Sequence, residues 1–262
     1  MQQLQNPPRA AVRGIKRDHR DDAPLPAQPS DAEHSPRWPW LLLGIAAAGL
    51  SHLLLPGNFR WFLAAIPHEL GHATIGCLFG RPSAPAISLA GEAWTGIGEQ
   101  QAWLVWSITI TCATFAFHLR QRRLPAIALA ITALALPAIA FTDLSQILIA
   151  GGGHLGELAF AAFCYSLCWN GGYTGTHQER IASAMAGALL QFGNLRLAFG
   201  LLTSAEARDL YASNGSLGMK NDMLVLAEDL CDCRLQSIAL LFLLLSALAL
   251  PAGLLLGKST RD

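Results

Sequence analysis

The sequence predicts an all-α, multi-pass membrane helix bundle, and two observations support this fold class. Of the 262 residues, 52% are hydrophobic and only 14% are charged, whereas a soluble domain carries about 25% charged residues. The apolar residues also form blocks long enough to cross a bilayer, which takes about 20 residues as a helix. These six blocks are Trp38–Phe59, Trp61–Gly80, Gln100–Leu119, Leu124–Thr142, Leu144–Trp169 and Leu235–Gly257.

Two further segments are ambiguous as spans. Ile181–Thr203 is a possible seventh span, but it contains Arg196, and an arginine at mid-bilayer costs about 2.5–3.5 kcal/mol. The Pro- and Gly-rich segment Arg81–Glu99 is too interrupted to cross, so we expect a re-entrant loop or short hairpin after the second block. The predicted organisation is a disordered polar tail at 1–36, a five-span core at 37–169, a polar and interfacial helical segment at 170–234, and a last span with a short tail at 235–262.

The charge balance limits the classes of partner. Lys and Arg number 18, as do Asp and Glu, and the absence of a basic surplus argues against nucleic-acid binding. The expected partners are the lipid bilayer and a membrane-protein or peptide substrate, and the expected location is the cell or inner membrane. Nothing in the sequence fixes the oligomeric state.

The distribution of Lys and Arg does not fix an orientation. Six alternating spans divide these residues nine against nine across the membrane, so the positive-inside rule is uninformative. Seven spans give ten inside and seven outside. In both arrangements the cluster Arg120, Arg122 and Arg123 lies outside, contrary to the rule.

The second block contains an H-E-x-x-H motif, formed by His68, Glu69 and His72. Residues i and i+4 share one face of a helix, so both imidazoles can bind one metal ion. Glu69 follows His68 directly and can reach a metal-bound water, which is the arrangement of a zinc hydrolase with Glu69 as the general base. Ionisable residues within an apolar span indicate function by default.

The third metal ligand is left open between two residues of the fifth block, with Asp143 at the end of the fourth block as a third option. His154 and Glu157 are three residues apart within a glycine-rich run and therefore share a helix face. Either residue can complete a His₂Glu or His₃ site for Zn²⁺, with the other orienting a ligand. Asn194 and Arg196 are candidates to pair with acids of the bundle.

The run AIPHELGHATIGCLFGRP, which surrounds the motif, resembles the zinc-binding helix of the site-2 protease family of intramembrane metalloproteases. The segment Arg81–Glu99 is similar in placement to the membrane-re-entrant hairpin of that family. The resemblance covers about Trp61–Glu99 and implies that His68 and His72 bind zinc and that Glu69 is the general base. The family usually supplies its third ligand from an L-D-G motif, which this chain lacks; the counterpart by position is GGGHLGE.

Three functions follow as hypotheses. The first is a membrane-embedded zinc metalloendopeptidase that hydrolyses a peptide bond within or near the bilayer, with a zinc-bound water as nucleophile. The second is a membrane oxidoreductase, either a di-iron enzyme or a haem protein that uses His52, His118 or His154. The third is a metal-bound membrane scaffold without catalytic activity.

Overall fold

The structure, a computed structural model, describes residues 37–88, 92–213 and 220–259. The predicted tail at 1–36 lies outside the described residues. The described chain is helical except for one two-stranded hairpin, which confirms the all-α class. The elements are α1 (Trp38–Leu54), α2 (Gly57–Leu78), β1 (Ser83–Ile87), β2 (Ala93–Ile97), α3 (Ala102–His118), α4 (Arg123–Ala140), α5 (Asp143–Ala150), α6 (Gly152–Asn170), α7 (His177–Thr203), α8 (Ala205–Ser213), α9 (Asp222–Leu224) and α10 (Leu235–Ser259). A π-helical segment, Val225–Leu230, continues α9.

Three of the described helices, α4, α7 and α10, are long and apolar enough to cross a membrane. A fourth crossing is available if α5 and α6 count as one broken span, since the two helices are bent by 57° around Gly151. The helices α1 and α3 are apolar but shorter, with 17 residues each. These helices fit a membrane protein and include the block with Arg196, which lies within α7.

The core consists of α6, α7 and α10, which alternate in direction. His154 of α6 contacts Asn194 of α7, and farther along α6 Ala161 and Cys164 lie against Gly187, which precedes Asn194 in α7, so α6 and α7 are antiparallel. Helix α10 runs parallel to α6, because its residues Phe242, Gly253 and Gly257 meet α6 or its start in the same order along the chain. We call the end where α6 and α10 begin and α7 finishes the upper end of the bundle, and the opposite end the lower end.

Helices α1 and α2 both run toward the upper end. In α1, Trp40 stacks on His177 and His52 lies 3.2 Å from the carbonyl oxygen of Leu189, so α1 is parallel to α7. In α2, Pro67 faces Gly156 and Gly71 faces Gly152, so α2 is antiparallel to α6 and therefore also parallel to α7. The chain is broken at Leu55–Pro56, where proline lacks the N–H that helix continuation requires.

The remaining elements lie around the upper end. The segment after α2 forms an antiparallel hairpin in which Ser83 pairs with Ile97 and Ile87 with Ala93, which was one of the two predicted forms. Helices α3 and α4 pack on each other. The start of α3 and the end of α4, which we call the base of this pair, are fixed at the upper end by an apolar cluster of Phe79, Val105, Leu136, Ala140 and Ile149.

Candidate metal centre

Helix α2 places the two histidines of the H-E-x-x-H motif side by side. The Nε2 atoms of His68 and His72 are 3.3 Å apart, as expected for residues one helical turn apart with both rings turned to one point. His72 is buried with 8% of its surface exposed. The motif therefore presents two ligand atoms to a single position beside α6.

A third candidate ligand atom comes from Asp222, at the start of α9. Its Oδ2 atom lies 2.9 Å from Nε2 of His68 and 3.0 Å from Nε2 of His72. Asn221, the residue before it, donates a hydrogen bond to the carbonyl oxygen of Tyr211 in α8. The residues that follow, Met223, Leu224, Leu226 and Ala227, are buried, and three of them pack with Leu201, Ile238, Ala239 and Phe242 of α7 and α10. This apolar docking holds the carboxylate over the histidines.

The separations among the three atoms fit a tetrahedral zinc site. Ligands about 2.0–2.1 Å from a zinc ion lie about 3.3 Å from one another in a tetrahedron, and the observed separations are 2.9, 3.0 and 3.3 Å. Two imidazoles and one carboxylate form a donor set that zinc accepts, and three protein ligands leave the fourth position open. The residues present therefore fit a zinc ion.

Electrostatics prepare Asp222 to act as an anionic ligand. Burial by itself would raise the pKa of this carboxyl, but the hydrogen bonds and charges of His68 and His72 hold the pKa well below its usual range. The carboxylate is therefore ionised at neutral pH.

Both imidazoles are oriented through their second nitrogen. Nδ1 of His72 donates to the carbonyl oxygen of Ile149 at 2.7 Å, and Nδ1 of His68 donates to Oε1 of Glu157 at 2.6 Å. Hydrogen bonds of this kind fix the ring orientation and raise the basicity of the nitrogen that faces the metal. Both Nε2 atoms are therefore aimed at the position beside Asp222.

Glu157 is itself held by a buried chain of polar groups. Asn194 of α7 donates its amide to Oε2 of Glu157 at 2.5 Å, and its Oδ1 atom lies 3.0 Å from Nδ1 of His154. Asn194 is 2% exposed, and His154 and Glu157 are 6% and 7% exposed. A buried polar group without a partner is costly, so this connected chain stabilises one arrangement of Glu157 and, through it, of His68.

Glycines allow α2 and α6 to approach closely at the site. A Cβ atom on Gly153 would lie 2.4 Å from Nε2 of His68 and 2.5 Å from Nε2 of His72. A Cβ atom on Gly71 would lie 2.2 Å from the carbonyl oxygen of Gly152, and one on Gly156 would lie 2.6 Å from Cα of Gly71. The glycine-rich run at 151–156 is thus needed for room beside the imidazoles.

Glu69 lines the same cavity as the ligand atoms and contacts the hairpin. The hydroxyl of Thr95 in β2 lies 2.7 Å from Oε2 of Glu69 and 3.0 Å from its backbone carbonyl oxygen. The cavity has a volume of about 800 Å³ and is also lined by His68, His72 and Asp222. The arrangement can hold a carboxylate base beside a metal-bound water, at a cavity large enough for several residues of a peptide.

The structure brings the predicted site residues together and adds one that the sequence analysis missed. His68, His72, Glu69, Glu157 and His154 all line the cavity. Within the part of the chain that the structure describes, two groups of side chains are close enough to hold a metal, one formed by His68, His72 and Asp222 and the other by His68, His154 and Glu157. Only the first uses both histidines of the motif. The signal for Asp222 is the polar pair Asn-Asp directly before the apolar run MLVLA.

Comparisons with protein-family models, curated proteins and solved structures gave no match to this chain.

Proposed function

We propose that this protein is a membrane-embedded zinc metallopeptidase of the H-E-x-x-H type. The observation that carries the proposal is the convergence of two histidines and Asp222 on one position, within a cavity that also holds Glu69. The motif helix, the hairpin that follows it and the helical bundle also match what the resemblance to the site-2 protease family implies.

Each residue of the site then has a role in peptide hydrolysis. His68, His72 and Asp222 would hold the ion, whereas Glu157 and the carbonyl oxygen of Ile149 orient the histidines. Zinc at this position would supply a Lewis acid and a water molecule of lowered pKa. Glu69 accepts a proton and delivers it to the leaving amine. Thr95 keeps the Glu69 carboxylate turned toward the cavity.

The hairpin offers an extended peptide a place to bind. Among the described residues, β2 pairs only with β1, so one edge of β2 is available for a further strand. Ala93, Trp94 and Thr95 line the cavity on one side, and Asn221 and Asp222 line it on another. A substrate added along β2 would gain main-chain hydrogen bonds, and it must be unwound there because a helix hides its backbone.

We propose six membrane crossings, in a different arrangement from the six apolar blocks. Because α1 and α2 run in the same direction, they form one crossing interrupted at Leu55–Pro56. The other crossings are α3, α4, the bent pair α5–α6, α7 and α10. The base of α3 and α4 lies at the upper end, and their exposed apolar side chains can be buried in lipid only if this pair extends toward the lower end.

The decisive experiment is Glu69→Gln in the full chain. Because glutamine cannot accept the proton, we expect the variant to keep its zinc content while hydrolysis falls at least 1,000-fold. The measurement is the set of new protein N-termini in membranes that express the wild type or the variant, together with zinc content after purification. Glu99→Gln changes an exposed acid of the same region and should behave as wild type.

The same experiment separates the peptidase from a metal-bound scaffold. New N-termini that are equal for the wild type and for Glu69→Gln would contradict the proposal and favour the scaffold. The haem alternative rests on His52, His118 and His154. The ring nitrogens of His52 contact Arg60 and Leu189, His118 lies exposed on the α3–α4 pair, and Nδ1 of His154 contacts Asn194, and an absorbance spectrum of the purified protein tests this alternative.

A further inference from the structure

The metal centre lies much closer to the upper end of the bundle than to the lower end. The helices rise about 1.5 Å per residue. From the level of the centre, α2 continues from His72 to Leu78 and α7 from Asn194 to Thr203, or about 9 and 14 Å. In the other direction, α6 continues from His154 to Asn170 and α10 from Phe242 to Ser259, or about 24 and 26 Å.

The helix directions also assign each loop to one end. The lower end receives the α3–α4 loop, the start of α7, the start of α1 and the end of α10. Its Lys and Arg residues in the described chain are Arg37, Arg120, Arg122, Arg123, Arg180 and Lys258. The upper end receives the hairpin, α8, α9 and the start of α10, with Arg81, Arg208, Lys220 and Arg234. Arg60 and Arg196 lie within α2 and α7 and are counted at neither end.

This assignment removes the conflict left by strict alternation of the apolar blocks. With α1 and α2 as one crossing, the cluster Arg120, Arg122 and Arg123 moves to the same side as Arg37, the residue before α1. Five further Lys and Arg residues precede Arg37 in the sequence, namely Arg9, Arg13, Lys16, Arg17 and Arg20. An excess of Lys and Arg in short loops and near the helix ends marks the cytoplasmic side.

We infer that the lower end faces the cytoplasm and that the metal centre opens toward the non-cytoplasmic face of the membrane. The substrate class follows from this orientation and depends on the proposed peptidase function. The site accepts membrane-protein segments that unwind within about 10 Å of the non-cytoplasmic surface. Segments that unwind at the cytoplasmic surface lie more than about 20 Å away along the bundle.

The orientation can be tested with a native thiol. Cys231 is free and exposed at the upper end, and Cys233 lies beside it. A membrane-impermeant maleimide should label the wild type in intact cells and should not label the double variant Cys231→Ser, Cys233→Ser. Adding Gln121→Cys to the double variant places a thiol in the α3–α4 loop, which should be labelled only after permeabilisation.

The opposite labelling pattern would overturn the inference. So would a wild type that is labelled only after permeabilisation. A second measurement does not depend on thiols: fluorescent protein fused after Asp262 should fluoresce, whereas alkaline phosphatase at the same position should be inactive. An active phosphatase there would likewise contradict a cytoplasmic lower end.

The substrate class is tested with two single-span substrates of opposite orientation. Both carry the same transmembrane segment with a Gly-Pro break near one end, placed on the non-cytoplasmic side in one and on the cytoplasmic side in the other. We expect at least tenfold more Glu69-dependent cleavage of the first. Preferential cleavage of the second would overturn the substrate inference. If the labelling is as expected and neither substrate is cut, the proposed peptidase function fails while the orientation stands.

Discussion

The contact between α2 and α6 and the pair formed by α3 and α4 bury their surfaces in opposite ways. At the first contact, Gly71 and Gly156 bring the two backbones together, and the polar side chains enclosed there hydrogen-bond to one another. The α3–α4 pair leaves large apolar side chains such as Trp103 and Leu134 exposed, at 66% and 77%. One region is defined by specific polar pairing, the other by apolar composition.

This difference predicts which substitutions should affect zinc binding and stability. Apolar side chains that face lipid lose little when one is exchanged for another, because lipid fills the space they leave. Side chains at the α2–α6 contact have no such freedom, because a Cβ atom added to Gly153 would lie about 2.5 Å from the imidazole nitrogens of His68 and His72. The predictions below test this contrast, from the largest expected effect to the smallest.

Asp222→Ala should have the largest effect. The change removes one of three ligands, so we expect zinc affinity to fall by more than the 10–100-fold typical of residues that only orient a ligand. Zinc content after purification and a competition titration with a chelator measure this. Asp209→Ala, an exposed acid of α8, is the matched control. Near-normal zinc in Asp222→Ala would shift the centre to the group of His68, His154 and Glu157.

Gly153→Ala should come next. The added methyl group would lie 2.4–2.5 Å from both imidazoles, so the rings must move and their Nε2 atoms can no longer meet Asp222. We expect zinc loss of at least tenfold and loss of peptidase activity. Gly49→Ala in α1 meets nothing within 4 Å and should be neutral or slightly stabilising, since alanine is favoured over glycine in a helix by about 1 kcal/mol. Equal behaviour of the two variants would contradict the close-approach argument.

The sequence was sufficient for the parts of this site that depend on local periodicity. His68 and His72 are four residues apart, and His154 and Glu157 are three residues apart. In each pair the two side chains therefore lie one helical turn apart on the same face of a helix. Asp222 lies 150 residues after His72, and no local pattern connects them. Its placement depends on the docking of Met223 and Leu226 against α7 and α10, which is a tertiary contact.

The direction of α2 shows a second limit of the sequence. Two apolar blocks separated by a proline are expected to cross and return, and hydropathy alone cannot distinguish that from one broken crossing. The packing supports the broken crossing that we propose. Trp40 and His52 of α1 meet α7 in the same order along the chain, and Pro67 and Gly71 of α2 meet α6 in the opposite order, so both helices run in the same direction.

Glu157→Gln should have an intermediate effect that separates two roles. If Glu157 orients His68, the amide oxygen of glutamine can still accept from Nδ1, although more weakly than a carboxylate. We then expect a loss of zinc affinity of about tenfold, smaller than for Asp222→Asn measured in parallel. A loss equal to that of Asp222→Asn would make Glu157 a ligand.

Ile131→Ala on α4 should have the smallest effect. This side chain is 61% exposed on the α3–α4 pair, so its removal leaves no cavity within the protein. We expect zinc content within twofold of wild type and a melting temperature in detergent within about 2 °C, because surface changes usually stay within about 0.5 kcal/mol. Leu136→Ala, which removes a side chain from the cluster at the base of the same pair, should lower the melting temperature clearly, because a buried Leu→Ala change costs about 2–5 kcal/mol. If Ile131→Ala were as damaging as Leu136→Ala, the outer face of α4 would be packed against protein, and the contrast between the two regions would fail.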